Sequence, residues 1–309
     1  MRAGTLEAQG LTKHYGKKAA VHDLSFTVRP GQVTGFLGPN GSGKSTTMRM
    51  FLGLDRPDSG KALVDGRPFD RLRHPLREVG AVLDAKAVHP GRTAYGHLLS
   101  LAYSNGIGRA RVAEVLDLVG LGEVANKLVG GFSMGMTQRL GIAAALLGDP
   151  QVLLLDEPLN GLDPEGVRWV RDLMKGLAAE GRTVFVSSHL LSEMELTADR
   201  LVVIGRGRLI TEAGVREVIE AGSGGAVKVR SPQAIQLAGQ LRKSGAQVTA
   251  DAEGTLFVTG LDSARIATIA SGCGALLHEL AVQHVSLETA FMHLTSGSTE
   301  YRSETAGPA

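Results

Sequence analysis

The chain has 309 residues, 43% apolar and 21% charged, the balance of a globular protein that buries a core rather than of a disordered chain. Its 33 basic and 31 acidic side chains leave a net charge of +2, too small a field to point to nucleic acid or an anionic membrane. One cysteine, Cys273, excludes an internal disulfide framework and any cysteine-clustered metal centre, and its Ser-Gly-Cys-Gly-Ala setting reads as a small buried residue.

The first ten residues lack the apolar stretch of a signal peptide, and no window approaches the ~18 apolar residues of a membrane span. The expectation is a cytosolic or peripheral protein. Through about residue 220, short β-branched runs alternate with helical patterns, which predicts an α/β fold with much parallel sheet. Residues 33–37 form an apolar run ending in a Gly-rich turn, and 43–54 read as a helix. From about 90 to 147 the pattern is helical without a convincing strand, with amphipathic stretches at 94–103 and 109–119, predicting a helical subdomain. Continuous apolar runs at 152–155 and 183–186 fit strands covered on both faces, separated by a helix at 165–179. Residues 201–204 and 209–211 read as a hairpin through Gly205-Arg206-Gly207.

Composition shifts at a linker carrying Gly222, Gly224 and Gly225. Beyond it the order is strand 226–230, helix 232–243, strand 247–250, strand 255–259, helix 263–271 and strand 275–280. That βαββαβ order predicts a small ferredoxin-like α+β domain. A last helix at 285–294 and a polar tail at 296–309, read as disordered, complete the chain. The expected domains are therefore 1–221 and 222–295, followed by the tail.

Gly38-Pro39-Asn40-Gly41-Ser42-Gly43-Lys44-Ser45 matches G-x-x-x-x-G-K-[ST] between a predicted strand and a predicted helix, with Thr46 continuing the helix. Glycines allow backbone N–H groups to converge on phosphate oxygens, and the helix start adds its positive end. Lys44 supplies a charge to the β- and γ-phosphates of ATP, and the Ser45 hydroxyl can ligate Mg²⁺. Such a loop needs a carboxylate from another strand, and Asp156 and Glu157 follow the run at 152–155. Alternation along a strand predicts opposite faces for them: Asp156 toward Mg²⁺ and Glu157 toward an attacking water. Taken alone, such an acidic pair also fits a helix cap or turn.

These residues and several others resemble the ATP-binding cassette of ABC transporters. Phe132-Ser133-Met134-Gly135-Met136-Thr137-Gln138-Arg139 stands where that family has its signature, and Leu159-Asn160-Gly161-Leu162-Asp163 resembles its D-loop. Ser187-Ser188-His189 resembles the switch histidine segment, and Tyr15 stands where family members stack an aromatic on adenine. The resemblance spans roughly residues 5–220. It implies that two copies pair head to tail, each ATP held by the P-loop of one and by Ser133 and Gly135 of the other. It further implies Glu157 as general base, His189 as holder of the γ-phosphate and Asp163 as a link between sites. Without it, Ser133 is a helix N-cap candidate and His189 a polar residue ending a strand.

Two departures stand out. Met134 and Met136 replace the usual Gly and Gln of the signature, and Asp84 falls where the family usually has its Q-loop glutamine, still offering an oxygen to Mg²⁺. Both resemble the branch that drives bacterial drug and antibiotic exporters, as does the small C-terminal domain. The implied function is ATP hydrolysis coupled to efflux through a separate membrane permease, on the inner face of the membrane and without nucleic acid. The competing reading is a soluble ABC ATPase switch or regulator. Residues 87–99 are the expected docking surface for a membrane subunit, by family arrangement. The arginines at 67, 71, 73 and 77, with His74, read as a solvated face or a contact to headgroups or that subunit, and Trp169 reads as packing.

Overall fold

A computed structural model describes residues 4–85, 87–223, 226–282 and 286–295. The chain divides into two compact units, one running to Gly214 and one spanning Val215–Leu294.

The first unit opens with β1 (Leu6–Tyr15), β2 (Lys18–Val28) and β3 (Gln32–Leu37), followed by α1 (Lys44–Phe51) and β4 (Ser59–Val64). Then come α2 (Pro75–Glu78), β5 (Val79–Val82), α3 (Ala94–Ser104), α4 (Arg109–Leu118), α5 (Met134–Leu146) and β6 (Val152–Asp156). The unit closes with α6 (Pro164–Ala179), β7 (Thr183–Ser187), α7 (Leu191–Thr197), β8 (Arg200–Gly205) and β9 (Arg208–Gly214). Six strands form one sheet in the order β5-β6-β7-β3-β8-β9, parallel except for β9, which pairs antiparallel with β8 as the hairpin reading requires. The predicted strands and helices of this sheet are all present, and the helical subdomain lies between β5 and β6.

A second, three-stranded antiparallel sheet in the order β2-β1-β4 has no counterpart in the sequence reading. Its signal is weak because β1 buries only Leu6, Ala8 and Leu11, and its alternation slips at a bulge where Gly10 takes φ +60°. Phe26 from this sheet packs with Phe36, Phe51 and Phe185, ring centroids 4.9–6.2 Å apart. That aromatic cluster locks the antiparallel sheet, α1 and the parallel sheet into one core.

The second unit contains α8 (Val215–Ser223), β10 (Val227–Arg230), α9 (Ala234–Lys243), β11 (Gln247–Ala250), β12 (Leu256–Thr259), α10 (Ser263–Gly272), β13 (Glu279–Val282) and α11 (Leu287–Thr295). Its sheet runs β11-β12-β10-β13 with every neighbour antiparallel, the ferredoxin-like arrangement. The last strand sits about four residues later than expected. Gly274 turns the chain at φ +69°, Ala275 fills the core, and pairing begins only where Arg230 meets Glu279. Cys273 is half-buried rather than fully buried, its thiol donating to Ala270 O at the end of α10. Gly222 continues α8, whereas Gly224, Gly225, Val285 and the 296–309 tail lie outside the described residues.

Candidate active site

Strand order decides which side chains meet. β5, β6, β7 and β3 are consecutive neighbours, so the segments leaving their carboxyl ends line one edge of the sheet. Those segments carry Asp84, Asp156 with Glu157, Ser187 to His189, and the loop 38–45. Register confirms the adjacency, since Ser187 pairs with both Phe36 and Asp156.

The loop after β3 wraps the start of α1. Gly43 takes φ +104°, and a Cβ there would stand 2.5 Å from Ala20 O, so no other residue fits. Lys44 is only 8% exposed, and its Nζ donates to Gly38 O at 2.6 Å and Pro39 O at 3.3 Å. Burial pushes its ammonium pKa down, while Glu157 and Asp156 pull it back up. The Ser42 hydroxyl is buried without a partner, an unmet polar group in a loop shaped to receive polar oxygens. A cavity of about 530 Å³ is lined by Tyr15, Asn40, Gly41, Ser42, Gly43, Lys44, Ser45, Thr46, Asp156 and Glu157. Gly38 and Pro39 close the loop behind it through the Lys44 hydrogen bonds.

The two carboxylates are held differently from the expected alternation. Asp156 ends β6 and accepts a short hydrogen bond from Ser187 Oγ. Glu157 has left the strand, with φ +51°, a backbone region a non-glycine residue enters only where surrounding bonds hold it. Its N–H donates to Ser187 Oγ at 3.0 Å and lies 3.2 Å from Ser187 O. The turn, not the pleat, therefore aims Glu157, and both carboxylates face the same cavity. Glu157 Oε2 lies 2.7 Å from His189 Nδ1 and accepts from the His189 backbone N–H at 3.2 Å. Ser187 is the positioning residue that sequence reasoning passed over; its sole signal was its place beside His189.

The remaining candidates lie elsewhere. Ser133 caps α5, accepting from Met136 N at 3.2 Å, and Asp163 caps α6, accepting from Gly166 N at 2.9 Å. Neither residue, nor Gly135, lines the P-loop cavity. Met134 stands in front of Gly161, whose added Cβ would be 2.7 Å from Met134 Cε, so the larger signature residue packs on the D-loop segment. Asp84 lines a neighbouring cavity of about 440 Å³ with Met134, the buried Gln138, Asn160, Asp156 and Glu157. It does not line the P-loop cavity. Arg67 is not simply solvated: it pairs with the buried Glu78 at 2.6 Å, whereas Arg71, Arg73, Arg77 and His74 are exposed. Trp169 is half-buried with the Arg139 guanidinium 4.5 Å from its ring centroid.

Residues 21–160 match the model of the ABC transporter family. The bacitracin transport ATP-binding protein BcrA of Bacillus licheniformis is 44% identical over 210 residues, covering 67% of this chain and 69% of its own. The chain belongs to the ABC transporter ATP-binding family. A Nod factor export ATP-binding protein I from Burkholderia orbicola is 35% identical over 303 residues, 96% of this chain and 98% of its own. A dimeric ATP-binding cassette in a post-hydrolysis state with ADP and Pi superposes with TM-score 0.62 at 26% identity, over 68% of this chain and 98% of that one. The ABC cassette of this protein is thus a nucleotide-binding ATPase. Residues 225–288 match a domain of unknown function, DUF8746. Among the described residues, no helix is long and apolar enough to cross a membrane.

Proposed function

We propose that this chain is the ATP-hydrolysing subunit of a bacterial exporter of antibiotic-like compounds, working as a head-to-tail pair on the inner face of the membrane against a separate permease. The observation that carries the chemistry is that Lys44, Ser45, Asp156 and Glu157 share one cavity with the Glu157–His189 contact at its edge. The antibiotic substrate class rests on the BcrA likeness.

In this reading, the loop 38–46 and Lys44 hold the triphosphate, and Tyr15 stacks on adenine. Among the described residues, no three His, Cys, Asp or Glu side chains gather as a metal site. Ser45 and Asp156 would therefore hold Mg²⁺ together with phosphate oxygens and water, the usual arrangement for this hard cation. Bound there, Mg²⁺ supplies charge neutralisation to the departing phosphate. Asp84 is a second oxygen donor beyond the first cavity. Glu157 orients the attacking water and accepts its proton. His189, now bonded to Glu157, holds that carboxylate and reaches the γ-phosphate. Ser133 and Gly135 of one copy meet the γ-phosphate held by the other copy, and Asp163 joins the two sites. The segment 87–99 meets the permease. The proposed division is a nucleotide-binding domain over 1–221 and an accessory domain over 222–295, a boundary that falls inside α8, whereas the compact units part at Gly214.

The test is capture of tagged Glu157→Gln protein from detergent-solubilised membranes with and without ATP. Recovery of a multispanning membrane protein is the expected result. Recovery of ribosomes, DNA-associated proteins or nothing, from protein shown to bind ATP, overturns the exporter reading.

A further inference from the structure

Tyr15 ends β1 at a two-residue turn, paired across to Lys18, with Gly16 at φ +61° between them. A side chain at such a tip is ordinarily free to swing, and Tyr15 is 51% exposed. Its hydroxyl is nevertheless tied to a distant part of the chain. Tyr15 Oη donates to Asp55 Oδ2 at 2.7 Å, and the same oxygen accepts from Arg49 Nε at 2.7 Å. Arg49 occupies the last turn of α1, the helix that begins at Lys44. The Leu54 and Asp55 backbone N–H groups close back onto Arg49 O at 3.0 and 3.4 Å, so Asp55 is fixed to that helix through both main chain and side chain. On the other side, Lys13 Nζ lies 5.6 Å from the Tyr15 ring centroid, itself anchored on Arg56 O at 2.6 Å.

We infer that Asp55 is a positioning residue for nucleotide binding: braced by Arg49 on the P-loop helix, it presets the Tyr15 ring as the face on which the nucleobase stacks. The inference rests on Tyr15 being the adenine platform, as proposed above. A carboxylate accepting from a guanidinium and a phenol is a charge-assisted, low-entropy clamp. The guanidinium holds the Asp55 carboxyl below its ordinary range, and the bond to that carboxylate raises the Tyr15 phenol. The phenol proton is thereby committed, and the ring offers a base its face rather than a donor. Because the ring is ordered before the nucleotide arrives, binding is spared the entropy of freezing it, an effect of about two- to tenfold in affinity. The brace also makes the base platform and the phosphate cradle move as one piece, since both hang from α1.

The experiment measures binding of MgADP and of inorganic tripolyphosphate with Mg²⁺ by calorimetry on the full chain; the second probe reports the cradle without a base. Asp55→Ala and Tyr15→Phe are expected each to weaken MgADP about two- to tenfold, with the double variant no weaker than the weaker single. Asp55→Asn, which keeps an acceptor, recovers most of the loss, and tripolyphosphate binds alike throughout. If Tyr15→Ala weakens MgADP while Asp55→Ala and Tyr15→Phe bind as wild type, the ring stacks without its brace and the inference is overturned. An equal loss of tripolyphosphate in Asp55→Ala also overturns it, leaving Asp55 a support of α1 alone. Unchanged MgADP binding by Tyr15→Ala removes the platform reading itself, and the brace with it.

Discussion

The P-loop region and the signature region are both phosphate-binding candidates built at a helix start, yet the chain treats them in opposite ways. The P-loop is walled in: Lys44 is buried, Ser42 is covered, and two consecutive carboxylates at the end of β6 face the same cavity. Ser133 and Met134 are exposed, and the Ser133 hydroxyl is spent on its own helix. One region encloses a cradle within a single chain; the other leaves Ser133 at the surface outside that cradle, with Met134 and Gln138 on the neighbouring cavity. The contrast fits the proposed site divided between two copies. It also explains why Met134 is tolerated, since its thioether packs along Gly161 rather than into the cradle.

Substitutions can break this comparison or sharpen it. The largest effect is expected from Glu157→Gln, which should cut ATP turnover by ~10²–10⁴-fold while leaving nucleotide affinity intact, because only the water-directed group is lost. Normal turnover in that variant removes the Glu157 assignment. Lys44→Ala should weaken MgATP binding by ~10²-fold or more, read by calorimetry, since a buried charge partner of the phosphates disappears. Ser133→Ala is the discriminating case. Its MgADP affinity should match wild type in a lone copy, while ATP turnover falls about ten- to a hundredfold through a lost bond to a charged phosphate. If instead it weakens MgADP in the monomer, the division between the two regions fails. Smallest is Asp163→Ala, where loss of the cap on α6 should cost about 1 kcal/mol in chemical denaturation.

The parts of the site legible in the sequence are those fixed by local rules. The strand–loop–helix around Lys44 carries its own glycine requirements, and four apolar residues ahead of Asp156 mark a strand buried on both faces. Glu157 was legible as a carboxylate but not in its geometry, because alternation along a strand cannot foresee a left-handed turn held by Ser187. Asp55 left no signal at all. Its bond to Tyr15 closes a gap of 40 residues between the tip of β1 and the loop after α1, and no periodicity encodes that contact. The β2-β1-β4 sheet was lost for a related reason: a half-exposed strand with a bulge blurs the period on which the reading depends. In the second unit, β13 shifted because pairing with β10, rather than the apolar run at 275–277, decides where the strand begins.

The most direct test of the divided site is the mass of Glu157→Gln protein in solution, measured by light scattering with MgATP and without it. The account predicts a monomer that becomes a dimer on adding MgATP, with the transition lost in Glu157→Gln/Ser133→Arg. A monomer that binds MgATP fully and stays monomeric at every concentration, or a dimer indifferent to both nucleotide and Ser133, would contradict it.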